Sequence, residues 1–224
     1  MKNLTILITS LLALALLDPT HALEFVAANN AIGTPGGNRF DSEFGLEYTL
    51  QTMNSASEFI WRAFQQDEAT RRPVSRITTT IENEDGVAYT SGDHIRVSAQ
   101  YIANFNGDVR REIVGLLYHE VAHSWQYNGQ GHAPSGLIEG VADYLRLTSG
   151  YAAPYWIKPG GGDRWDQGYD VTAYFLQYCE GLRQGFVADL NAKMKDGYNV
   201  GFFQDLVGKS VDQLWSDYKA RYGN

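Results

Sequence analysis

The chain has 224 residues, 44% of them apolar, and a formal net charge of −8, which fits one globular domain with a core that folds without staples. This acidity argues against nucleic acid and other polyanions as partners, since the one compact basic cluster, Arg71-Arg72 with Arg76, reads as a solvated turn rather than a phosphate site. One cysteine, Cys179, excludes an intrachain disulfide, so stability has to come from packing.

Residues 1–22 have the layout of a secretory signal peptide: Lys2, an apolar run from Leu4 to Leu17, a break at Asp18-Pro19, and small side chains at Thr20 and Ala22. Cleavage after Ala22 would leave a single domain, residues 23–224. A membrane anchor is the competing reading, but about 20 unbroken apolar residues are needed to span a bilayer and this run stops well short. No second apolar run follows, so the expected product is soluble, extracellular and without a membrane partner. Lys2 and Asp18 leave together, which keeps the charge at −8. The Asn-x-Thr sequon at Asn3 falls inside the leader.

Leu23 to Ala28 then reads as a short strand, followed by a turn at Thr34-Pro35-Gly36-Gly37. From about Phe44 to Gln65, Leu46, Leu50, Met53, Ile60, Trp61 and Phe64 recur at helical spacing. The period changes next. Val74–Ile81, Val87–Thr90 and His94–Val97, separated by turn residues, predict a small antiparallel or mixed sheet. Asp108 looks like the N-cap of a helix that runs through Ile113, Leu116 and Leu117 into His119 and ends near Gln126. Further helices are expected over Ser135–Leu147 and, capped by Asp170, over Val171–Leu182. The segment between them holds Pro154, Pro159 and Gly160-Gly161-Gly162; without a following Gly-Lys-Ser/Thr it reads as a loop bordering a cleft, not a phosphate cradle. Short helices end the chain, with Phe202, Phe203, Leu206, Val211, Leu214, Trp215 and Tyr218 as core, and Cys179 reads as a buried structural thiol. The sum is an α+β fold with a mainly helical C-terminal part.

His119-Glu120-Val121-Ala122-His123 matches HExxH. Residues four apart share a helix face, so both imidazoles can reach one Zn²⁺ at about 2.0–2.1 Å. Glu120 is offset round the helix, too far to ligate yet placed to act as general base toward the attacking water. The bland alternative is two helix histidines hydrogen-bonded in a core; the apolar lead-in Ile113-Val114-Gly115-Leu116-Leu117 favours a buried scaffold helix instead. A catalytic zinc needs a third protein ligand. His132 stands nine residues beyond His123, whereas the metzincin pattern wants a histidine six beyond, where this chain has Gly129. Glu139 opens Glu139-Gly140-Val141-Ala142-Asp143, in which Glu and Asp are four apart. This resembles the second-helix motif of gluzincins, where the Glu ligates and the Asp braces a ligating histidine. Glu139 is therefore the favoured third ligand, Asp143 the brace and His132 the competitor, with a solvated helix face as the ordinary reading of the two carboxylates.

The segments TPGGNRF, AYTSGDHIRVSAQYI, GLLYHEVAHSWQYNGQG, LIEGVADYLRL and DRWDQGYDVTAYFLQYCE resemble the plant basic secretory protein family, a group of secreted zinc peptidases linked to pathogen defence. The resemblance covers nearly all of residues 23–224 and implies a zincin-like α+β fold, the stated roles for His119, Glu120 and His123, a peptide or protein substrate, and a plant apoplast or cell-wall setting. Unlike the family's name, this chain is acidic. An oxyanion donor is also needed; Tyr169, in a loop before a helix, is the candidate, with Tyr127 as alternative and a packed aromatic as the bland reading. Trp156 and Trp165 either line subsites or anchor their loop. Besides an active peptidase, a zinc-binding defence protein with little turnover and a metal-free interaction protein remain open, and the intact Glu120 speaks for the first.

Overall fold

In the computed structural model, which describes the backbone of residues 14–17 and all of residues 23–223, the chain builds a mixed sheet covered by helices. The expected signal peptide, residues 1–22, lies outside the described residues except for that short backbone stretch, Leu14–Leu17 (β1), which pairs antiparallel with Glu24–Asn29 (β2). Burial alternates along β2, sending Phe25 and Ala27 into the core. Arg76–Glu82 (β3), Ala88–Ser91 (β4) and His94–Ser98 (β5) complete the order β1-β2-β3-β5-β4. The pairs β2–β3 and β3–β5 are parallel, whereas the β4–β5 hairpin and the β1–β2 pair are antiparallel. A parallel pair needs a long crossover. Pro35–Glu43 (α1) and Leu46–Ala63 (α2) supply it between β2 and β3.

The turn expected at Thr34–Gly37 is instead the start of α1. Thr34 caps it by accepting from the Gly37 amide, and Pro35 takes a first-turn position where its missing N–H costs nothing. Two glycines are poor helix formers, but a Cβ on Gly36 would stand 1.7 Å from the Ala99 carbonyl oxygen and one on Gly37 2.0 Å from that of Ala31. Close backbone approach, not chain reversal, is what they provide. A short helix at Ala99–Asn104 (α3), absent from the sequence reading, forms that contact.

Val109–Trp125 (α4) begins as expected, with Asp108 accepting from the Arg111 amide. It is buried along most of its length between α2 and Ser135–Thr148 (α5). At its C-terminal end Trp125, fully buried, donates through Nε1 to Ser57 Oγ at 3.0 Å. The basic cluster is structural rather than a solvated turn. Arg71 lies over the Trp61 ring, 4.1 Å from its centroid, and Arg72 donates to the His123 and Ser124 carbonyls at 3.1 and 2.7 Å, capping α4.

Tyr169–Leu182 (α6), Phe186–Lys193 (α7), Phe202–Val207 (α8) and Val211–Tyr222 (α9) form the helical C-terminal part. Asp170 does not cap α6: the helix starts two residues earlier than expected, at Tyr169 behind Gly168, and the Asp170 carboxylate accepts from the Ile157 and Val171 amides. Trp165 packs on Phe203, ring centroids 5.2 Å apart, within a cluster that includes Phe175, Phe186 and Tyr218. Cys179 is buried there, and burial pushes its thiol well above the usual range, as an inert packing residue requires.

Candidate metal centre

The chemistry-bearing residues sit on two adjacent helices, α4 and α5, whose spacing is set by small side chains. Gly115 on α4 faces Arg146 on α5, where a Cβ would meet Arg146 Nε at 2.7 Å, and Gly140 on α5 faces Thr172 on α6, at 2.2 Å from its methyl. With the helices this close, His119, His123 and Glu139 each bring one ligand atom into a group lying within 4.8 Å. His119 Nε2 is 3.1 Å from His123 Nε2 and 3.1 Å from Glu139 Oε2, and His123 Nε2 is 3.7 Å from the same carboxylate oxygen. Four tetrahedral ligands about 2.0–2.2 Å from a zinc ion lie about 3.3–3.6 Å from one another. The three observed edges bracket that figure to within about 0.2 Å, and a His, His, Glu set is a donor set zinc accepts.

Each imidazole is also held from behind. His119 Nδ1–H donates to Asp143 Oδ1 at 2.6 Å, a buried contact that leaves Nε2 toward the triad. Burial disfavours charge on His119, but the bonds to Asp143 and Glu139 outweigh it and raise its pKa to about 10. Burial likewise opposes ionisation of Glu139, yet the bonds to His119 and His123 hold its carboxyl well below the usual carboxylate range. His123 Nδ1 is met by the Gln126 side chain at 2.6 Å. There the amide nitrogen faces the ring while Gln126 Oε1 is buried without a partner. The two amide ends are isosteric, and a half-turn gives Oε1 the Nδ1–H in exchange for a 3.3 Å bond from Nε2 to the Ile138 carbonyl.

Glu120 stands outside the ligand group and is almost fully buried at the floor of a cleft of about 920 Å³. Thr90, on the edge strand β4, donates to its Oε2 at 2.7 Å. Tyr169, the first residue of α6, rises from the opposite wall with φ of 47°, a left-handed conformation uncommon outside glycine. Its ring is stacked parallel to His119, centroids 6.1 Å apart, and is 57% exposed. Repulsion from the Glu139 carboxylate, followed by burial, raises its phenol pKa, so the hydroxyl keeps its proton.

Tyr127 also lines the cleft, but its hydroxyl is committed to the Thr70 carbonyl at 3.0 Å. His132 is exposed, its Nδ1 against the Gly129 carbonyl at 3.2 Å, and the ligand group does not include it. Trp156 borders the cleft, whereas Trp165 only anchors its loop. Sequence reasoning missed Gln126, Thr90 and a buried Glu112–Arg146 pair beneath the cleft, 3.0 Å apart. Gln126 alone had a signal, one turn beyond His123 on the same helix.

A family model described as "BSP: Peptidase of plants and bacteria" matches residues 20–218. The chain belongs to the BSP family. A "Basic secretory protease" from Boswellia serrata is 48% identical over 59 residues, covering 26% of this chain and 67% of the relative. Among solved structures, an M1 zinc metallopeptidase from Deinococcus radiodurans superposes with a TM-score of 0.54 at 12% identity, over 88% of this chain and 48% of that one. A variant of the same enzyme bound to a Tyr-Ser-Ala substrate gives a TM-score of 0.53 at 13% identity, over 92% of this chain and 50% of that one. This BSP chain thus spans about half the length of the M1 chains and shares the fold of the part it matches.

Proposed function

We propose that this BSP member is a secreted zinc-dependent peptidase acting outside the cell, in plant defence or at the cell wall. The observation that carries the reading is the His119, His123 and Glu139 triangle, whose edges of 3.1, 3.1 and 3.7 Å suit tetrahedral zinc. Zinc, when held there, supplies Lewis acidity toward water and the scissile carbonyl. The rest falls to the chain's own groups. Thr90 donates to Glu120 Oε2, which leaves Oε1 to take the proton of the attacking water and return it to the leaving amine. Asp143 fixes the His119 ring. Tyr169 keeps its phenolic proton and can donate it toward charge building on the carbonyl oxygen. Among the described residues β4 pairs with β5 alone, and its other edge lies beside the cleft, where an extended peptide can add main-chain hydrogen bonds.

Replacing Glu120 by Gln keeps the shape and removes the base. Zinc content and fold should stay as in the wild type, while turnover drops by about 10²–10⁴-fold or more. Chelation should silence the wild type and added zinc should restore it. A Glu120→Gln protein that binds zinc and cleaves at the wild-type rate would remove Glu120 from the mechanism; a wild type that binds zinc and cleaves nothing would make it a zinc-binding defence protein. Export is supported by the leader-like N-terminus and the Boswellia relative's name. Sequencing the secreted product should begin at Leu23 or a close neighbour, and an intact Met1 on membrane-retained protein would refute cleavage.

A further inference from the structure

One end of the cleft, beside His119 and Asp143, is walled by Leu116, Tyr155 and Trp156 and floored by Arg146. Arg146 is a cation by composition but not by behaviour. Its Nη2 donates to Glu112 Oε2 at 3.0 Å, its Nε to the Tyr151 carbonyl at 3.0 Å, and its guanidinium lies over Trp156, 5.4 Å from the ring centroid. The Arg146 and Glu112 side chains are only 5% and 4% exposed. The remaining Glu112 oxygen accepts from the Tyr101 and Tyr155 hydroxyls at 2.9 and 3.1 Å. A charged substrate group entering here would have to break a buried, hydrogen-bonded ion pair, and separating such partners costs several kcal/mol.

The other formal charges outside the triad and its base are engaged as well: Asp143 by His119, Asp170 by two amides, Arg72 by the last carbonyls of α4. Beside these engaged polar groups the cleft also leaves apolar surface open. Of the eight large hydrophobic residues exposed among the described residues, four (Val87, Tyr89, Tyr155 and Tyr169) line this one cleft. Exposed apolar groups gathered in a concave site mark a binding surface rather than chance.

We infer that the Leu116–Tyr155–Trp156 end is a subsite for a bulky apolar or aromatic side chain, and that the substrates are extended peptides carrying such a residue at one fixed position beside the cut bond. This rests on the peptidase reading. The test is digestion of an unbiased peptide library by the zinc-loaded protein, read by mass spectrometry. At one position flanking the cut, Phe, Tyr, Trp, Leu or Met should be favoured over Ala by at least about 10-fold, the scale of discrimination a hydrophobic pocket gives. Trp156→Ala, with zinc content checked, should bring the Phe-to-Ala ratio to within about 3-fold, and Leu116→Phe, which fills the pocket, should turn the preference toward small residues. Cleavage with acidic, basic or small residues favoured on both sides of the cut, or a preference unmoved by both variants, would overturn the subsite alone. A zinc-loaded protein that cleaves no peptide would overturn the peptidase reading and the subsite with it.

Discussion

Gln126 and Asp143 stand in equivalent places behind the two histidines, one an amide and one a carboxyl group. An outer hydrogen bond fixes which ring nitrogen carries the proton and aims the other at the metal, and its loss commonly costs about 10–100-fold in metal affinity. Gln126→Leu should therefore weaken zinc binding by about that factor in a chelator competition, while Gln126→Glu, which still accepts, should not. Equal affinity of the Leu variant and the wild type would relegate Gln126 to packing. The two kinds of partner were unequally legible. Glu139 and Asp143 show in the sequence because both lie on one helix face at a spacing that matches a known motif. Gln126 shows only through its place one turn beyond His123, and Thr90 does not show at all: it reaches Glu120 from an edge strand 30 residues away, and no local periodicity announces a contact made by tertiary packing.

The helices that carry the site were readable because their ends and faces agree. Asp108 caps α4, and its apolar residues recur at helical spacing. What the pattern hid was helix–helix distance, which glycines control. Gly140 lies between the proposed ligand Glu139 and the buried Val141, and its missing side chain is what lets Thr172 of α6 approach. Gly140→Ala should lower stability by about 1–3 kcal/mol, as overpacked cores do. It should also weaken zinc binding, because α5 cannot yield to α6 without moving Glu139. A denaturant midpoint shift with unchanged zinc affinity would separate the packing from the site. The same blindness explains α1. Pro-Gly-Gly is a turn signal in isolation, and only the Ala31 and Ala99 backbones make its glycines helical. In α6 the capping rule pointed to Asp170, but its carboxylate is drawn partly to the Ile157 amide of the cleft loop, and the helix starts on Tyr169.

At the scale of the molecule, a core without a disulfide is rich in buried hydroxyls. Burial raises the pKa of Tyr101, Tyr144, Tyr198 and Tyr218, the last two to about 12. An unfolded chain ionises these phenols near pH 10 while the folded one keeps them neutral, so the folded state holds its full advantage below about pH 10 and loses it as pH rises through about 12. The melting temperature should fall across that window; a flat profile would mean these side chains are more hydrated than their surroundings indicate. Tyr218 has a second part to play. Its hydroxyl accepts from the Gly160 amide at 2.6 Å, and the neighbouring Lys219 ammonium donates to the Gly160 and Gly162 carbonyls at 2.6 and 2.8 Å. The final helix is thereby buttoned to the loop that forms the cleft wall. A local opening that breaks these bonds should free α9 and that loop as one unit, so their amide protons should exchange for deuterium together, and each such opening should widen the cleft.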